Sequence, residues 1–434
     1  MDKDFLKKSN RINDYLKVLH KLSNYSPFYH NKYLKEFNFV KKNNKYFKIG
    51  GNKEPEKKNS LFDFYIFSEL FTIDLAIKLK FTKTKGFNNI NVNNRTEKFF
   101  FDKLIKEYDD MGKIMDNKNK YPEELFSKVS FQFEIFKDKR FKQELIDDYG
   151  FKISQAGIKM NEMIVAFKDL IPKKKVVKTF HICEAPGNFI KMIKFYVETV
   201  LKGTLDYNAS SLNDKHKNII KKYGKIPEVP TENSNKWHFG KDETGDITKI
   251  ENIKGLAKYC KDVDLITSDC GLGESTRDEH SAKLLFYSSL FMLMNVPEGK
   301  NCLLKFYLPL CSDIEISIIY NMYKYFDKTY FFKPVVNFRS GEFYLVCLGK
   351  KNVPEKVIKE LSAENPKYEK VDDVAFLLQL YNFSKRIIDK RTTQLERLIY
   401  IMDNYDLLTK KEFNLISKIK QKRIKCWMET NKLV

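Results

Sequence analysis

Between residues 176 and 350, short apolar runs alternate with longer stretches whose apolar residues recur every three or four positions. That is the pattern of strands alternating with helices in a mostly parallel sheet. The runs predict strands at 178–183, 203–208, 263–268, 301–307, 328–332 and 343–348, and the spacing between them predicts helices at 186–201, 250–260, 280–294 and 312–325. Ahead of the first strand, residues 154–170 carry the stripe Met160, Met163, Ile164, Phe167 and Leu170, an amphipathic helix. Residues 1–150 mix amphipathic helical patterns with lysine- and asparagine-rich connections, of which 41–60 is the clearest loop or linker. Beyond 350 the strand pattern stops, and 351–434 reads as a helical tail with a strongly basic stretch at 410–425 and Trp427 near its end. Three parts are therefore expected: a mostly helical region 1–150, an α/β domain 151–350 and a basic helical region 351–434.

Composition narrows the class. A chain of 434 residues that is 42% hydrophobic can bury at least one full core and is not a disordered polymer. A formal net charge of +22 suits a polyanionic partner, although lysine and asparagine are used heavily everywhere and arginine sparingly, as codon bias also produces. No two of the seven cysteines are spaced as CxxC, so neither a zinc site nor a disulfide framework is expected, and those in apolar runs read as small hydrophobes in a reducing compartment. The N-terminus is charged, without the apolar segment of a secretory signal. The longest apolar stretch, 284–296, holds two serines and is too short to span a bilayer. A cytoplasmic protein with no membrane partner and no bound metal is expected.

Candidate chemistry sits where the first strand runs into Cys183-Glu184-Ala185-Pro186-Gly187-Asn188-Phe189, an acidic residue followed by a tight small-residue turn that opens a helix. At the carboxyl edge of an α/β sheet such a turn lets backbone amides approach a ligand, and it puts Glu184 in reach of a cationic one. Neither GxGxxG nor GxxxxGKS is present there, which disfavours NAD and ATP. Asp246, in Thr244-Gly245-Asp246-Ile247-Thr248, is either an acceptor for an adenine amino group or a helix cap. Asp206, read as the end of the second strand, stands where ribose hydroxyls are gripped in nucleotide-binding sheets, with Asn208 an equal rival. Asp269 ends the run 263–268, Lys305 lies inside the apolar run 302–307, and Glu342 opens the last strand. If that strand is antiparallel, all three converge beside the turn, and Lys159, flanking the stripe of 154–170, points its amine under the same edge. Taken singly, each of the four also reads as an ordinary charge reaching solvent.

Four motifs in order, SQAGIKMNE (154–162), CEAPGNF (183–189), VDLITSD (263–269) and CLLKFY with RSGEFYLV (302–307 and 339–346), resemble the FtsJ or RrmJ-type family of RNA ribose 2′-O-methyltransferases across roughly 150–350. The resemblance implies a Rossmann-like methyltransferase fold with a mostly parallel seven-stranded sheet and an antiparallel last strand. It also implies S-adenosylmethionine as cofactor and a Lys-Asp-Lys-Glu tetrad on Lys159, Asp269, Lys305 and Glu342. The cofactor residues it points to are Glu184, Ala185, Pro186, Gly187, Asn188, Phe189, Asp206, Asp246, Ile247 and Asp269. The CEAPG form and the GDIT segment are more similar to cap methyltransferases of large cytoplasmic DNA viruses, so the implied substrate is capped mRNA, with other capping or transcription proteins as partners. Ribosomal or transfer RNA, or a non-catalytic RNA-binding subunit, are the alternatives. Two departures stand out: Asn188 where many relatives have a second glycine, and Cys270-Gly271-Leu272 in place of a small residue and proline after the aspartate. The basic stretch 410–425 is expected to add nonspecific phosphate affinity.

Overall fold

The computed structural model describes residues 39–42, 45–48, 77–81, 94–117, 120–271, 279–310, 313–336, 340–366, 368–403, 405–408 and 410–433. The chain divides into two compact units, Met1–Thr72 and Ile73–Val434. In the first, β1 (Phe39–Lys42) and β2 (Lys45–Lys48) pair antiparallel, so the stretch expected as a linker at 41–60 begins inside a hairpin; the rest of it lies outside the described residues.

The second unit is built on a seven-stranded sheet. Its elements are β3 (Ile77–Lys80), α1 (Asn94–Asn117), α2 (Glu123–Phe133), α3 (Lys139–Tyr149), α4 (Gln155–Ala166), β4 (Val176–Ile182), α5 (Asn188–Phe195), β5 (Thr204–Ser210), α6 (Lys217–Tyr223), α7 (Ile250–Leu256), β6 (Leu265–Ser268), α8 (Glu279–Asn295), β7 (Asn301–Tyr307), α9 (Asp313–Lys324), β8 (Phe326–Lys333), β9 (Glu342–Lys350), α10 (Glu355–Leu361), α11 (Val374–Asp403) and α12 (Lys410–Asn431). The order across the sheet is β3-β8-β9-β7-β6-β4-β5. Strands β4 to β7 are parallel, and β9 runs antiparallel between β7 and β8, as the convergence of the four charges requires. The seventh strand comes from outside 151–350: β3 pairs antiparallel with β8 at one edge. Its alternation of Ile77, Leu79 and Phe81 with Lys78 and Lys80 is that of a strand whose lysines guard an edge.

Side-chain alternation sorts each strand between two apolar layers. Cys302, Leu304 and Phe306 of β7, with Phe343, Leu345 and Cys347 of β9, face α7, α8, α9 and α11. Leu303 of β7 and Tyr344 and Val346 of β9 face α3, α4, α5 and α12. Lys305 shares the parity of Leu303, and Glu342 that of Tyr344, so both charges belong to the layer that contains α4. Local signals fix that layer. The Asp138 carboxylate accepts the Arg140 and Phe141 amides at 3.0 and 3.3 Å to start α3, which ends at Gly150 in the left-handed region. The Ser154 hydroxyl accepts the Gly157 amide at 3.1 Å to start α4, which stops at Ala166, short of the expected 170.

The basic stretch 410–425 is not a solvated tail. Within α12, Ile416, Ile424 and Trp427 are buried, and the Lys420 ammonium is buried against the Asp138 carboxylate at 3.0 Å. The Trp427 ring meets Phe136 and Phe141 edge-on at 5.7 and 5.2 Å. One face of the helix therefore docks on the core, while Lys410, Lys418, Lys422 and Lys425 stay exposed on it. Among the described residues no helix is long and apolar enough to cross a membrane.

Removing this docking should cost stability rather than only affinity. Trp427→Ala is expected to destabilise the protein by about 3–5 kcal/mol, the range for deleting a large buried aromatic. Denaturant unfolding checks it, and a change below about 1 kcal/mol would show that α12 does not carry this layer.

Candidate active site

The four sequence-predicted charges meet at the carboxyl rim of the sheet. The ammonium of Lys159, reaching across from α4, lies 2.6 Å from Glu342 Oε1, and that of Lys305 lies 3.2 Å from Asp269 Oδ1. Lys159, Lys305 and Glu342 are 7%, 8% and 5% exposed, so three charges have left water and must find partners within the protein. Tyr344, directly opposite Lys305 in the β7–β9 register, joins the two pairs. Its hydroxyl oxygen lies 2.8 Å from Asp269 Oδ1 and 2.9 Å from Glu342 Oε1, so two carboxylates share one hydroxyl proton. Sequence reasoning missed Tyr344 because Phe343-Tyr344-Leu345-Val346 reads as core. Burial, reinforced by the two carboxylates, pushes its phenol well above the ordinary value of 10.

The cofactor turn lies beside this cluster. Gly187 adopts φ 94° at the start of α5, Pro186 is exposed, Ala185 and Asn188 are half-buried, and the Phe189 ring is buried 6.2 Å from that of Tyr344. Glu184 does not turn outward to meet a cation as its position suggested. It is buried, and its Oε1 accepts the Phe189 and Ile190 amides at 2.7 and 3.2 Å, capping α5 from within. Burial, with the nearby Asp269 charge, raises its carboxyl to about 8 against those two amides. A disulfide joins Cys183 to Cys270, with Cα atoms 5.0 Å apart, and so ties the turn to the residue after Asp269. The expectation that the cysteines are unpaired is corrected here, because an 87-residue separation leaves no local spacing to read. Gly271 has a steric reason: a Cβ there would lie 2.5 Å from the Tyr307 hydroxyl and 2.8 Å from Lys305 Cε.

Asp246 and Asp206 part company. Asp246 is buried next to the end of β5, where Gly245, at φ 71°, approaches so closely that a Cβ would fall 1.8 Å from the Ser211 carbonyl oxygen. Its Oδ1 accepts the Thr248 amide and hydroxyl at 3.0 and 2.6 Å in a local turn, while Oδ2 lies 3.8 Å from the Lys222 ammonium; the helix cap expected as its alternative role falls instead to Lys249, which precedes α7. Ile247 is a core residue. Asn252, unforeseen, braces the segment by donating to Asp242 Oδ1 at 2.8 Å and the Asp246 carbonyl at 3.0 Å. Asp206 is not at the rim: β5 runs on to Ser210, and Asp206 pairs in register with Lys178 and binds the Lys236 ammonium at 2.9 Å. The strand is longer than its apolar run suggested because Asn208 and Ser210 are half-buried or buried polar positions within it. Asn208 itself is engaged by His238 at 2.9 Å. The buried Ser210 hydroxyl stands at the true carboxyl end without a protein partner.

Burial alone would raise the Glu342 carboxyl, but the Lys159, Lys305 and Lys333 cations outweigh it and hold it at about 2. A carboxyl held below its ordinary 4.5 contributes stability fully above that pH and loses it as the pH falls towards 2. Glu342→Gln should therefore cost about 3 kcal/mol near neutrality, the low end for breaking a buried ion pair. The gap to the parent should shrink as the pH is lowered from 4.5. Melting curves of both proteins from neutral to acid pH check this; a gap that stays constant rules it out.

Residues 153–350 match the family model described as FtsJ-like methyltransferase. An uncharacterized protein, L511, of Acanthamoeba polyphaga mimivirus is 27% identical over 92% of this chain and 50% of its own. Cap-specific mRNA (nucleoside-2′-O-)-methyltransferase 2 of Drosophila melanogaster is 28% identical over 40% of this chain, and that of Mus musculus 26% over 45%; each match spans 27% of the relative. The chain thus spans half or less of the curated relatives it matches. The cofactor of this family is S-adenosylmethionine, and the site fits it: small residues at 185–187, the unpaired Ser210 hydroxyl and the buried Asp246 line one edge of the sheet. It is with the FtsJ-like methyltransferases that residues 153–350 share their likeness.

Proposed function

We propose that this domain transfers the methyl group of S-adenosylmethionine to a ribose 2′-hydroxyl of RNA, and that the RNA is capped mRNA. The observation that carries the reading is the meeting of Lys159, Asp269, Lys305 and Glu342 on one rim beside the Cys183–Phe189 turn. The cap preference leans on the names of two similar proteins, and it is the part that an RNA substrate decides.

S-adenosylmethionine supplies an electrophilic methyl carried by a positive sulfur. The residues of the chain must bring a neutral hydroxyl to it in line and take one proton away. The turn at 185–187, the Ser210 hydroxyl and Asp246 hold the donor. Lys305, at the mouth of the rim, contacts the 2′-hydroxyl and accepts or steers its proton. With two carboxylates and two amines in contact, the tetrad carries no net formal charge when both lysines are protonated. The Tyr344 hydroxyl and the Lys159–Glu342 pair keep Asp269 and Lys305 in register. Alignment is the larger contribution, worth several kcal/mol.

Cofactor binding and chemistry should fail separately. Lys305→Ala should leave S-adenosylmethionine affinity intact and lower methyl transfer by at least about a hundredfold. Asp246→Ala should weaken cofactor binding by about 1–3 kcal/mol, with activity partly recovered at high cofactor concentration. Calorimetry and single-turnover assays on folded protein check both; a folded Lys305→Ala that transfers methyl at the parent rate refutes the tetrad assignment. For the substrate, methyl mapping on matched RNAs should place the group on the first transcribed nucleotide of capped RNA, and equal methylation of uncapped RNA would overturn the cap preference.

A further inference from the structure

Glu162 takes no part in the chemistry above, yet it is buried, at 1% exposure. It lies three residues after Lys159 on the same face of α4. Its two oxygens accept three N–H groups: the Val335 amide at 2.6 Å, the Val336 amide at 3.1 Å and the Trp427 indole at 2.9 Å. The first two belong to the chain leaving β8, and the third to α12. The same connection returns to β9 at Glu342, where Lys159 takes the carboxylate and the buried Lys333 ammonium takes the carbonyl oxygens of Ser340 and Glu342 at 2.8 and 2.5 Å. One helix therefore grips both stems of the β8–β9 connection, with Glu162 on the outgoing stem and Lys159 on the returning one. Burial drives the Glu162 carboxyl up to about 7 against the Trp427, Val335 and Val336 donors, so its site is one that only a full set of donors makes tolerable for the carboxylate.

We propose that Glu162 is a positioning residue: by holding the Val335 and Val336 amides and the Trp427 indole together, it sets the placement of Glu342 against Lys159 and Tyr344. Through it, α12 becomes a working part of the active site. The inference rests on the methyltransferase reading, so its test carries one readout that does not need activity. Glu162→Gln in the full chain keeps the volume but turns an amide N–H₂ towards N–H donors. A misplacement of the reacting groups by a fraction of an ångström to one ångström costs roughly tenfold to a hundredfold in rate. The single-turnover methylation rate should fall into that range, while S-adenosylmethionine affinity by calorimetry stays within about twofold. Deuterium uptake should rise in the peptide carrying Val335 and Val336 and stay unchanged in the one carrying the Cys183–Phe189 turn. Trp427→Phe, which keeps the two backbone bonds and an aromatic ring, should show the same pattern more weakly, and it serves if Glu162→Gln does not fold. A rate within twofold of the parent, a loss of cofactor affinity in step with the rate, or an even rise in uptake across the domain would each overturn the proposal. Should the parent itself methylate no RNA, the proposed function fails, and the exchange data still judge the clamp.

Discussion

Three buried charges and a half-shielded fourth, gathered on the rim of an apolar sheet, are costly to remove from water, and the structure around them is arranged so that none is left alone. Lys159 can reach Glu342 only because α4 lies on the face that residue 342 points to. Lys305 can reach Asp269 only because β6 and β7 are parallel neighbours ending at the same level. The reversal of β9 brings the start of a strand, rather than its end, to that level, and Tyr344 then fills the gap between the pairs. Move one of these elements and a buried ion loses its partner, so the fold and the site are constrained together.

The cofactor side obeys a different logic. Its residues are small, polar and satisfied locally: Glu184 by the first amides of α5, Asp246 by Thr248, and the 242–246 segment by Asn252. What they offer a ligand is close approach and a few free polar atoms, of which the Ser210 hydroxyl is one. The Cys183–Cys270 link stands between the two halves, binding the Cys183–Phe189 turn to the strand end that carries Asp269.

Much of this was legible in the chain, for identifiable reasons. Parallel strands buried on both faces give continuous apolar runs, and a lysine inside one, as at 305, is conspicuous because it needs a partner. Period-two alternation then sets its face. Tyr344 and Glu162 escaped notice because a tyrosine in an apolar strand and a glutamate in a helix are ordinary until their partners, far away in sequence, are known. Asp206 was misplaced by the rule that apolar runs end strands; β5 continues through polar residues whose neighbours bind them. The basic residues of α12 hid an apolar stripe that includes Ile416, Ile424 and Trp427, since net charge counts residues and takes no account of the direction each one points.

The alternation along β7 has an evolutionary corollary. Cys302, Leu304 and Phe306 belong to one layer, and Leu303 and Lys305 to the other, so an insertion or deletion of a single codon within this strand would invert every assignment after it. Lys305 would be driven into hydrocarbon and a phenylalanine or leucine delivered to the rim. Length variation between diverging copies of such a domain is thereby pushed out of β7 and β9 into the connections at their ends, and the strand interiors can drift only by substitution.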